Sequence, residues 1–209
     1  MIMVLLLIST TINAQNTKLE NALLKNLKQM EDVKSPEEFQ NITNGFERIA
    51  EAEKGEWLAQ YYAGYINLIT GMQQETNAKK DEYYDRALTY INKADELSHD
   101  NSEICVLKSW ALGVKIGIDP MNRGQQLGME AGMLTAKAIE LNPENPRAHF
   151  MKGQSAMYTP EQYGGGKNIA LRYLETAVAK FKTFKPATPA MPFWGEKQAN
   201  EALEKCKSM

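Results

Sequence analysis

From about Thr17 onward, apolar residues recur at intervals of three and four, the spacing of a single helix face. Leu19, Leu23, Leu24, Leu27 and Met30 form the first such set and predict a helix over roughly 17–33. Ser35-Pro36-Glu37-Glu38 opens the second. Ser35 can accept from free backbone amides, Pro36 fits the first helical position and Glu38 completes a capping box. Phe39, Ile42, Phe46 and Ile49 then supply the buried face up to Gly55. Further helices are predicted from Glu56, over 77–97 and 102–118, from about Met121 to Leu141, over 146–158 and 167–184, and over 195–207 after a Pro-rich linker. No stretch alternates with period two long enough for a strand. The pattern therefore predicts an all-α fold of about nine helices.

Small residues add a longer period. Gly45 and Ala52, Ala87 and Ala94, Ala131 and Ala138, and Ala170 and Ala177 each stand seven apart, on every second helix, and successive pairs follow at 42, 44 and 39 residues. Positions seven apart share a helix face, and small side chains there admit a neighbouring helix. Gly64, set among Trp57, Tyr61, Tyr62 and Tyr65, costs its helix about 1 kcal/mol relative to alanine, which predicts a helix passing close to it. A helix pair recurring every 40 residues or so is a solenoid signature.

On these residues the chain resembles tetratricopeptide repeat proteins. Leu107, Ala111 and Val114 match the large, small and large positions of the motif's first helix, and Ala131, Ala138 and Pro143 match its second helix and turn. Gly153, Ala170, Leu174 and Ala177 continue the match, and Gly64, Ala87, Ile91 and Ala94 follow it more loosely. The units are longer than the usual repeat of about 34 residues, and His99 stands where a proline would end the first unit. The linkers Thr159 to Lys167 and Pro192-Phe193-Trp194-Gly195 are similar to those of exported tetratricopeptide proteins of Bacteroidetes-type bacteria.

The resemblance implies a right-handed α-solenoid of antiparallel helix pairs. A degenerate pair would occupy 15–55, three pairs with interhelical insertions 56–185, and a linker with a capping helix 186–209. It also implies a concave groove lined by the first helix of each unit, with Tyr61, Tyr65, Lys108, Leu112, Lys115, Arg147, Phe150 and Gln154 facing it and a protein or peptide as partner. On this reading the chain is a non-catalytic binding scaffold of the bacterial envelope.

Composition narrows the remaining choices. With 24 basic and 26 acidic residues spread along 209, neither nucleic acid nor an anionic membrane surface is indicated. The apolar run Ile2 to Ile8 is short of the roughly 20 residues a span needs. With Ala14 before Gln15 it predicts a cleaved leader over 1–14 and a periplasmic destination, although no Lys or Arg precedes the run. Cys105 and Cys206 lie far apart in the chain and are expected as free thiols. They and the two histidines, His99 and His149, lack the spacing of a metal site, and no cofactor is indicated.

Gly164, Gly165, Gly166 and Lys167 at a helix start form a possible anion loop, the basis of an alternative reading as a small anion-binding protein or enzyme. The loop lacks the preceding strand and the Ser or Thr after lysine that a P-loop has. A third reading makes the chain a structural subunit that docks through insertions near 71–80 and 118–128.

Overall fold

The computed structural model describes residues 17–31, 33 and 35–209 in full, and for 3–16 the helical backbone alone. The leader expected over 1–14 lies outside the fully described residues. Among the described residues nine α-helices follow one another: α1 (Met3–Glu31), α2 (Pro36–Ala52), α3 (Trp57–Met72), α4 (Asn77–Leu97), α5 (Ser102–Ile118), α6 (Pro120–Leu141), α7 (Pro146–Tyr158), α8 (Lys167–Phe181) and α9 (Glu196–Ser208). A 3-10 turn, Glu161–Tyr163, precedes α8. No strand occurs among the described residues. No helix among them is long and apolar enough to cross a membrane.

Side-chain caps fix where the helices begin. Ser35 accepts from the Glu38 amide at 3.1 Å, Thr76 from that of Lys79, Asn101 from those of Glu103 and Ile104, and Asn145 from that of Arg147. Each such cap stabilises its helix by about 1 kcal/mol. Asp119 caps α6 in the same way, with Pro120 at the first position.

Each helix packs on the next, and the odd-numbered helices also touch one another, α1 with α3, α3 with α5, α5 with α7 and α7 with α9. The described even-numbered helices make no such mutual contacts. An array whose alternate helices converge on one side and spread on the other is curved, so α1, α3, α5, α7 and α9 line its inner face. The small residues set the approach within the pairs. A Cβ on Gly64 would lie 2.6 Å from Ile91 of α4, and one on Gly153 would lie 2.7 Å from Leu174 of α8. Ala87, Ala94, Ala138, Ala170 and Ala177 are fully buried. Ala52 is exposed, and its partner position Gly45 lies instead against the Asn26 side chain of α1.

Two apolar clusters result, one built around α1 to α5 and the other around α5 to α9. Helix α8 stops at Phe181 rather than at Phe184. Residues 182–195 then run back along the inner face as an irregular strap before α9. Pro186 disfavours helical backbone just beyond this point, and the Phe184 ring lies beneath the Arg147 guanidinium, 4.5 Å from ring centroid to cation.

Candidate functional site

The inner face carries a continuous group of aromatic rings. Helix α3 begins after Glu56 and places Tyr61, Tyr62 and Tyr65 within one turn. Tyr61 and Tyr62 meet edge to face at 5.4 Å, and Tyr62 and Tyr65 at 6.3 Å. From α5, Trp110 approaches Tyr65 at 6.1 Å. The strap adds Trp194, stacked on Tyr65 at 5.6 Å and tilted over Trp110 at 5.1 Å. Offset and edge-on contacts at these separations are the favoured geometries of aromatic pairs.

Polar contacts hold the strap against these rings. The Trp194 indole N–H donates to the Tyr61 hydroxyl at 2.9 Å, and the Tyr62 hydroxyl donates to the Ala190 carbonyl at 2.7 Å. Arg147, fully buried in the first turn of α7, gives two 2.7 Å bonds to the Glu103 carboxylate at the start of α5. It gives a third, at 3.3 Å, to the Trp194 carbonyl. A carboxylate at a helix N-terminus is favoured by the helix dipole, so Glu103 is well placed to neutralise a guanidinium shielded from bulk solvent.

Between α1, α3 and the strap lies a cavity of about 150 Å³, lined by Leu27, Met30, Tyr62, Tyr65, Phe193 and Trp194, with Glu31 at its edge. Burial pushes the Tyr65 phenol up to about 12. It raises Tyr62 still further, as it does Tyr61, where the Glu103 carboxylate adds to the effect. The three phenols are therefore neutral at physiological pH. They offer ring faces and hydroxyls rather than phenolates.

Of the residues expected to face a groove, Tyr61, Tyr65 and Arg147 come together here, Tyr61 and Arg147 being fully enclosed. Leu112 and Phe150 are buried, and Lys108 and Gln154 are half-buried. Lys115 points toward α4, where it pairs with Asp81 and Asp85. The face of α5 that meets the strap carries Glu103 and Trp110, nearly half a turn away from the face of Lys108, Leu112 and Lys115. Tyr62, Trp110, Phe193, Trp194 and Met30 were outside the expected set. The signal for Trp194 was its setting, a large apolar ring among prolines with no helix of its own in which to bury it.

The glycine loop is closed on itself. The Gly164 amide donates to Glu161, that of Gly165 to Pro160, and that of Gly166 to Ala156 and Thr159. The Lys167 ammonium donates to the Lys207 carbonyl at the end of α9. Cys105 and Cys206 are free and buried. No group of three or more potential metal-ligating His, Cys, Asp or Glu occurs among the described residues.

No protein-family model matches the sequence, and no curated protein does. Among solved structures, the HusA haemophore from Porphyromonas gingivalis superposes with a TM-score of 0.77 at 33% identity, over 92% of each chain. Agreement at that identity over nearly the whole of both chains is more than a shared architecture. The chain belongs to the family of the HusA haemophore.

Proposed function

We propose that this protein binds haem or a related porphyrin in the aromatic cavity of its inner face and works as a carrier in the bacterial envelope, on the periplasmic side or beyond. The observation that supports this most directly is the convergence of Tyr62, Tyr65, Trp194 and Phe193 with Met30 and Leu27 around one cavity. Flat ring faces and a thioether suit a conjugated macrocycle, and apolar pockets with a few polar groups are the usual form of a small-ligand site. The HusA relative is a haemophore by name, and the predicted leader over residues 1–14 agrees with export.

No histidine or cysteine lines the cavity among the described residues. The Tyr62 hydroxyl is already engaged with Ala190, which leaves Met30, the neutral phenol of Tyr65 and the solvent-exposed Glu31 carboxylate as weak partners for iron among the described residues. Ring contact therefore dominates recognition. Metal-free porphyrin is expected to bind within about tenfold of haem, a difference of roughly 1.4 kcal/mol.

The test is an absorbance titration of the chain with haem and with metal-free porphyrin. Tyr65→Ala should weaken both at least severalfold with helix content unchanged, and Lys108→Ala should leave both alone. Failure of the wild-type chain to bind either ligand at micromolar concentration would remove the proposal.

A further inference from the structure

We infer that the seat of the planar ligand is the face of Tyr65 and Trp110 now covered by Trp194, and that residues 182–195 leave the inner face to expose it. This rests on the porphyrin-binding reading and locates its ligand. The first argument is volume. The cleft is open to solvent and measures about 150 Å³, against roughly 300–1,000 Å³ for small-molecule sites, so a macrocycle seated there stays largely outside unless a wall moves.

The second argument is which wall that is. Leu27 and Met30 belong to α1 and Tyr62 and Tyr65 to α3, and both helices pack into the first core cluster. Phe193 and Trp194 belong to the strap, which has no regular structure and is exposed over 185–189 and at Phe193. Ala190 and Pro192 are buried and the Phe184 ring lies beneath Arg147, but the strap's polar holds on the inner face are few: Tyr62 to Ala190, Tyr61 to the Trp194 indole, Arg147 to the Trp194 carbonyl, and a long contact of 3.4 Å from the Ala190 amide to Glu20.

The third argument is chemical likeness. The Trp194 indole is itself a flat conjugated ring system, lying 5.6 Å from Tyr65 and 5.1 Å from Trp110. It occupies the place a porphyrin edge would take and presents the same face to the same two rings. Its N–H is satisfied by Tyr61 only while the strap is closed, so the closed state competes with the ligand. A competing closed state lowers the apparent affinity by the fraction of molecules that are open.

The experiment is amide hydrogen exchange on the full chain with and without saturating metal-free porphyrin, alongside titrations of Trp194→Ala and Tyr61→Phe. Porphyrin should speed exchange over 190–195. Trp194→Ala should bind severalfold more tightly than wild type. Tyr61→Phe, which keeps its ring and loses only the partner of the indole N–H, should shift affinity the same way by a smaller factor. Binding to wild type with exchange over 190–195 slowed, or weaker binding by Trp194→Ala with Tyr61→Phe unchanged, would overturn the inference and leave the porphyrin reading standing. No binding by wild type or either variant would overturn both.

Discussion

Removing the Arg147 guanidinium from water costs several kcal/mol before any partner is counted, and the fold offsets this with the Glu103 carboxylate, the Trp194 carbonyl and the face of Phe184. Glu103→Gln would strand a buried charge. It is expected to lower stability by about 3–5 kcal/mol in urea unfolding, while the double replacement Glu103→Met with Arg147→Met should cost less than the single change. Two glycines make a contrasting pair. At Gly153 a methyl would meet Leu174, including its backbone nitrogen at 3.0 Å, so Gly153→Ala should lower the melting temperature. At Gly113 nothing lies within 4 Å, and Gly113→Ala should stabilise by roughly 1 kcal/mol, the difference in helix propensity. Gly153 was legible in the sequence because its small size recurs with the repeat. Arg147 was legible as a residue of the inner face but not as a buried ion pair, because Glu103 stands 44 positions away in the chain and no local pattern joins them.

Helix α6 shows how unevenly one element can be held. Its second half sends Thr135 and Ala138 into the interior, but its first half leaves Met121 93% exposed and Met129 61% exposed. What ties that first half down is electrostatic: Arg123 grips Asp81 of α4 with two 2.7 Å bonds, and Lys115 of α5 joins from the other side at 2.8 Å. Hydrogen bonds from Arg123, then from Lys115, hold the Asp81 carboxyl at about 2 instead of 3.8. A group depressed in the folded state stabilises above its unfolded pKa and loses that contribution as pH falls through the folded one. The tie should therefore be intact above about pH 4 and weaken toward pH 2. Amide exchange over 121–130, corrected for intrinsic rates, should accelerate across that window, and in Asp81→Asn it should be fast throughout with little pH dependence. The element boundaries themselves were largely readable. Helices α4, α5 and α7 occupy their expected ranges because Thr76, Asn101 and Asn145 cap them. The end of α8 was readable only to within a few residues, from Pro186.

At the scale of the whole molecule, the strap changes how a helical array behaves. Solenoids are held by contacts between neighbours and can open from either end. Here Tyr62 is bonded to a residue 128 positions later and Trp194 to one 133 positions earlier, so the last segment of the chain is fastened to α3. Urea unfolding followed by tryptophan fluorescence and by helix circular dichroism should coincide in wild type and separate in the double variant Tyr61→Phe with Tyr62→Phe, which loosens the strap and keeps Trp194. The sequence displayed the linker as Pro-rich but carried nothing to show where it lies. The two thiols turn this architecture into a clock. Cys105 sits on α5 and Cys206 on the terminal α9, both buried in the second core cluster, and burial pushes the Cys105 thiol up. An alkylating reagent can reach either only when its helix comes away, so labelling rates in the native state measure how often each part of the array opens. Cys206 should label well before Cys105. The two sulfurs would then date, in one sample, the fraying of the end and the opening of the middle.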